Sequence, residues 1–147
     1  MTGTAHAVIG TVIAAKIGNP ALAIPLALTS HVIADLIPHW DTLTNRDQKS
    51  RKRLFIDTGF DGILALTLSY SIIVLLFPST SYAYAILIMF FAIFPDILHA
   101  PYTFFGMRQF KWAYDFGHFT NRTLDKPWGI ITQVFAVSLL VALALLF

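Results

Sequence analysis

The sequence predicts an all-α, polytopic membrane protein of about five apolar helices with a metal site at their cytoplasmic ends. Three observations carry that fold class. Hydrophobic residues make up 56% of the 147-residue chain and charged residues only 12%, and mean hydropathy is +0.69, too apolar for a water-soluble domain of this size. Apolar runs of helix length are separated by turn signals at Gly18-Asn19-Pro20 and Pro78-Ser79-Thr80-Ser81. No alternation of apolar and polar residues competes with the helical pattern. A single membrane-embedded domain, residues 1–147, is the expectation. There is no cysteine, hence no disulfide and no thiolate metal site. The N-terminus lacks a basic region and Lys16 interrupts the first apolar run, so a cleaved signal peptide is not expected.

The first helix is expected over residues 5–17. Gly18-Asn19-Pro20 ends it and Pro20 opens the second, residues 20–37, with a kink at Pro25. At ~1.5 Å per residue the first helix is short for a ~30 Å hydrocarbon core, so this pair reads as a hairpin that only partly spans. Pro38 disfavours helical geometry at Ile37 and closes the second helix there. After a polar linker, the third helix is expected over residues 54–77 and the fourth from Tyr82 to about Phe94 or beyond. Residues 101–126 are polar and aromatic and read as interfacial. Residues 128–147 form a charge-free apolar span.

Charge sets the orientation. Nine of the ten Lys and Arg residues lie in the two loops after helices two and four, and Lys16 alone lies toward the other side. The positive-inside rule therefore puts both loops and the N-terminus in the cytoplasm, in an inner or plasma membrane. The run Lys49-Ser50-Arg51-Lys52-Arg53 is first a topology signal, and also suits an anionic lipid head group.

Every His and every Asp falls on that same side. All eight acidic residues are Asp, which points to short, positioned carboxylates. The densest stretch is His31-Val-Ile-Ala-Asp35-Leu-Ile-Pro38-His39-Trp-Asp41. His31/Asp35 and Asp57/Asp61 are i, i+4 pairs, and Asp96/His99 is an i, i+3 pair. Each pair shares one helix face. Ionisable groups inside apolar segments are costly without a partner. Eight candidate ligands follow: His6, His31, Asp35, His39, Asp57, Asp61, Asp96 and His99. They are too many for one tetrahedral zinc and suit a site of two or three divalent ions, zinc or manganese on ligand type.

The early His6, the segment His31-x3-Asp35-x2-Pro38-His39-x-Asp41, Pro95-Asp96-x2-His99 and the later Gly117-His118 together resemble the YdjM-like family of predicted membrane-bound metal-dependent hydrolases. The resemblance implies a Thr-His after the Gly-His element; here Thr120-Asn121 stands there, with Asn in place of the second His. The family is similar in turn to the helical zinc phospholipase C and S1/P1 nuclease group. That implies His6, His31/Asp35, His39 and Asp57/Asp61 as ligands in order, with Asp57 where that group has His.

The expected activity is metal-assisted hydrolysis of a phosphoester, with a lipid-linked phosphate favoured by a site at head-group level. Asp35 would bridge two ions that activate water. Asp41 or His118 would carry the proton, and Arg51, Arg53 or Arg108 would hold phosphate oxygens. Membrane lipid is the expected partner, and no nucleic acid is expected. Two other classes fit the same residues: a divalent metal or proton transporter or channel, and a non-catalytic scaffold with a structural metal.

Overall fold

The computed structural model describes all 147 residues as an all-helical bundle without strands. Six α-helices follow in order: α1 (Gly3–Lys16), α2 (Pro20–Asp35), α3 (Arg51–Leu76), α4 (Tyr82–Phe105), α5 (Lys111–Thr120) and α6 (Trp128–Leu146). Helices α3, α4 and α6 are long and apolar enough to cross a membrane, whereas α2 is apolar but shorter. Their outer faces carry large exposed apolar side chains, such as Phe60, Ile63, Leu75 and Phe135, as expected of surfaces solvated by lipid.

Helix α1 is the axis of the bundle, packed by α2, α3, α4 and α6. Nine of its fourteen residues are buried, and the sequence explains why. Alanine, glycine and threonine recur around its whole circumference, so neighbouring backbones approach closely from every side. The tightest approach is at Gly10, where an added Cβ would lie 2.8 Å from the Ala92 Cβ and 2.9 Å from the Met89 Cα of α4. Helix α3 turns a stripe of four-residue spacing toward the core, with Ala65, Ser69 and Ile73 buried. Asp61 lies one turn before Ala65 on that stripe.

The fourth helix runs beyond Phe94, through Pro95 and Pro101, to Phe105. Proline removes one backbone donor per site and is tolerated inside packed membrane helices because neighbours take up the disturbed carbonyls; one residue after the Phe91 carbonyl that faces Pro95, His31 Nδ1 donates to the carbonyl of Ala92 at 2.8 Å. The interfacial stretch, in turn, holds a helix of its own, α5. The turn signals, the Pro25 position inside α2 and the long final helix all match the structure.

Helix polarity gathers the sequence-marked ends. The N-termini of α1, α3 and α6 and the C-terminal end of α2 meet at one end of the bundle. Thr2 approaches Gln133 of α6 at 3.4 Å, and the Trp40 amide donates to the Gly129 carbonyl at 3.0 Å. At the other end the Tyr84 hydroxyl donates to the Ile17 carbonyl at 2.5 Å.

Candidate metal centre

Each contributor reaches the cluster for a local reason. His6 sits in the second turn of α1, inside the bundle, and is 1% exposed. His31 and Asp35 occupy the last turn and a half of α2 on one face. His39 lies beyond Pro38 in a loop stitched to residues 121–124: its amide donates to the Arg122 carbonyl at 3.0 Å and its carbonyl accepts from the Leu124 amide at 2.6 Å. The Arg122 amide in turn donates to the Asp35 carbonyl at 2.9 Å. Gly129 of α6 is required beside this crossing, since an added Cβ would collide with the Leu124 carbonyl and lie 2.6 Å from the Trp40 nitrogen. Asp96 and His99 project from successive turns of α4.

Asp35 is the hub. Its Oδ1 lies 3.1 Å from His6 Nε2 and 3.8 Å from His39 Nε2, and also meets the N-terminal ammonium. Its Oδ2 lies 3.4 Å from His31 Nε2. The His6 and His31 rings stack, 3.7 Å between centroids. Asp96 Oδ1 lies 3.6 Å from His31 Nε2 and 3.3 Å from His99 Nε2. His39 Nε2 also faces Asp41 Oδ2 at 3.8 Å. Ligand atoms of His6, His31 and Asp96 all fall within 4.8 Å of one another.

The tautomers carry the chemistry. His31 Nδ1 donates to the Ala92 carbonyl and His39 Nδ1 to the Ile37 carbonyl at 2.7 Å. A neutral imidazole whose Nδ1 bears the proton presents a bare lone pair on Nε2. Both Nε2 atoms are aimed at carboxylate oxygens, acceptor toward acceptor. Such an arrangement needs positive charge between the groups, either a proton that makes the imidazole an imidazolium or a bound cation, and a backbone carbonyl on the far nitrogen is the usual support of a metal-binding histidine. His39 Nε2 and His6 Nδ1 are buried with no hydrogen-bond partner. The donor set, imidazole and carboxylate without thiolate, fits zinc or manganese.

Five of the eight sequence-predicted ligands therefore converge directly, His6, His31, Asp35, His39 and Asp96, with His99 attached through Asp96. Asp57 and Asp61 do not join them. Asp61 Oδ2 accepts from the Gly3 amide at 2.7 Å and Oδ1 from the Thr4 amide at 3.1 Å, so it serves the unpaired donors at the start of α1. Asp57 is held by Arg53 at 2.8 Å, one turn earlier on α3.

The proposed catalytic and phosphate-binding groups are also redistributed. His118 is exposed and lies against Tyr114 at 6.0 Å, because Gly117 is the residue of α5 that packs on His99 and the next residue points elsewhere. Asp41 is buried at the cluster, yet it accepts from the Leu43 amide at 2.8 Å, the Thr44 hydroxyl at 3.1 Å and Asn121 Nδ2 at 2.7 Å. Burial pushes its carboxyl up, but the neighbouring His39 imidazole and the hydrogen bond from Asn121 outweigh this and hold it at about 2. A group so acidic is a fixed charge and a poor carrier of protons near neutrality. Arg53 is spent on Asp57, and Arg51 and Arg108 line a neighbouring cleft. Sequence reasoning passed over Thr103, whose hydroxyl meets His99 Nδ1 at 3.1 Å, and the role of Asn121. A cavity of about 190 Å³ opens beside the cluster, bordered by Asp41, Asp96, His99 and Asn121.

The chain has no match among family models, curated proteins or solved structures.

Proposed function

We propose that the cluster holds two divalent cations bridged by Asp35, and that the protein is a membrane-bound metal-dependent hydrolase acting on a phosphoester. The observation that carries this reading is the pair of tethered imidazoles, His31 and His39, whose Nε2 lone pairs face carboxylates and call for cations between. The sequence resemblance to the YdjM-like family supports the same reaction class. His6, His31, Asp35 and Asp96 would hold one ion, and Asp35, His39 and Asp41 would hold the other. Bound there, divalent ions polarise water and phosphoryl oxygen.

The chain's own groups do the rest. Asp41, fixed by Asn121 and Thr44, keeps its charge at the rim of the cavity. His99 is the imidazole of the cluster that borders the cavity, and Thr103 holds its Nδ1, so its Nε2 is the group assigned to carry a proton, in place of Asp41 or His118. The apolar walls of α3, α4 and α6 favour a substrate carried in the membrane, a lipid-linked phosphate. On the positive-inside rule the cluster faces the cytoplasm and the membrane is the inner or plasma membrane. The α1–α2 hairpin reaches from the cytoplasmic end of the bundle to the level of the α3–α4 turn, where Ile17 meets Tyr84 and Lys16 lies over Phe77.

The test is metal analysis of purified protein joined to a panel of lipid and soluble phosphoesters assayed with Zn²⁺ or Mn²⁺. About two ions per chain are expected, with Asp35→Asn losing more than one and all turnover. His99→Gln should keep the metal and lose turnover. Metal-free native protein would overturn the reading. Metal flux in proteoliposomes without hydrolysis would replace catalysis by transport, and chelation that only unfolds the protein would leave the metal structural.

A further inference from the structure

Beside the cluster lies a second polar cavity, of about 610 Å³, walled by the loop before α3, the end of α4 and the start of α5. Thr103 and Phe104 line both this cavity and the one at His99. Five cations surround it, Arg46, Lys49, Arg51, Arg108 and Lys111, against a single carboxylate, Asp47. Three of the five are engaged. Arg46 donates to the Thr103 carbonyl at 2.8 Å, Lys49 donates to the Thr42 carbonyl at 2.9 Å, and Lys111 grips Asp115 at 2.6 Å. Arg51 and Arg108 are exposed and make neither an ion pair nor a side-chain hydrogen bond within the chain. Like charges converging on one concavity repel unless an anion lies among them.

A separate observation concerns α5. Trp112, Phe116 and Phe119 are 62%, 52% and 84% exposed. Their i, i+4, i+7 spacing puts them on one stripe of a ten-residue helix. The stripe toward the protein is different: Ala113 and Thr120 are buried and Gly117 meets His99. A third stripe carries Lys111, Asp115 and His118. One face packs on the bundle, one is charged, and one presents three large aromatics to the outside. That is the signature of a helix lying in the plane of a membrane interface, with its aromatics at acyl-chain level. The basic cavity opens at the N-terminal end of this helix, and so at the depth where lipid phosphates lie.

We propose that α5 lies flat in the membrane interface and that Arg51 and Arg108 bind the phosphate of an anionic phospholipid head group in the adjoining cleft. The occupant follows from charge complementarity, an excess of cations with two arginines free, combined with the aromatic stripe that fixes depth. Arginine suits the task because its planar fork meets phosphate oxygens in pairs. The proposal rests on the membrane placement argued above and is independent of catalysis or metal. Thr103, which lines this cleft, holds His99 through its hydroxyl, so the cleft adjoins the His99 side of the cluster.

The test uses full-length protein in phosphatidylcholine nanodiscs, with Trp40→Phe and Trp128→Phe leaving Trp112 as the fluorescent reporter. Bromine-labelled phosphatidylglycerol or bromine-labelled phosphatidylcholine is added at the same minor fraction. The neutral quencher should dim Trp112, and the anionic one should act as though enriched about fivefold or more beside it. Arg51→Gln combined with Arg108→Gln should bring the two lipids to parity while leaving quenching by the neutral lipid intact, which also reports correct folding. Lys111→Gln alone should lower the preference only partly. Equal quenching by both lipids in the parent protein, a preference that survives the double substitution, or no quenching by either lipid would overturn the proposal. Inorganic phosphate should lower the preference more than chloride of equal ionic strength, because the two arginines read the phosphate group itself.

Discussion

Asp61 holds the first turn of α1 through Thr4, its Oδ1 accepting from both the amide at 3.1 Å and the hydroxyl at 2.5 Å of that residue. A carboxylate used in this way is an N-terminal cap supplied from another helix, complementing the positive end of the α1 dipole. Asp61→Ala should lower stability by about 1–2 kcal/mol, the range for losing a cap, with metal content retained. Asp61→Asn keeps an acceptor and should cost less. Thermal unfolding in detergent beside metal analysis checks both, and metal lost at an unchanged melting temperature would return Asp61 to the ligand set.

The side-chain amide of Asn121 supports Asp41 at 2.7 Å. Removing a support of this kind weakens metal sites by about 10–100-fold. Asn121→Ala should show that loss for one ion and not for both, measured by competition against a chromogenic chelator. Equal weakening of both ions, or none, would separate Asn121 from the second ion.

Gly10 and Gly18 make an internal comparison. A methyl at Gly10 meets α4 at 2.8 Å, while one at Gly18 meets nothing within 4 Å. Gly10→Ala should cost about 1–3 kcal/mol by overpacking and Gly18→Ala should be near neutral, read from the same unfolding assay. Because α1 carries His6 and α4 carries Asp96, Gly10→Ala should also weaken metal binding.

Single cysteines at Ser50 and Ser79, in a chain that has none of its own, bracket α3. Twenty-six helical residues rise about 39 Å, enough to cross the core. The two should react with impermeant thiol reagents from opposite sides, Ser50→Cys from the cytoplasm. Labelling of both from one face would remove the transmembrane reading of α3.

Much of this was legible in the sequence because the signals were local. Composition, turn residues and apolar run length gave the helices, and helix periodicity paired His31 with Asp35 and Asp96 with His99. What could not be read was which polar residue each helix end turns toward. Asp57 and Asp61 have the same i, i+4 spacing as a ligand pair, and only the packing of α3 on α1 reveals one as a cap and the other as a partner of Arg53. His118 looked like a site residue by motif, yet the single-residue offset from Gly117 rotates it away.

Every residue of the metal cluster precedes Arg122 in the chain, yet the loop bearing His39 is pinned by Gly129 and the first turn of α6. The final helix thus acts as a latch on a site it contributes no ligand to. During synthesis the complete set of imidazoles and carboxylates emerges well before the element that locks them together. A nascent chain halted before Trp128 would carry every imidazole and carboxylate of the cluster and still lack the contacts that pin His39 in place.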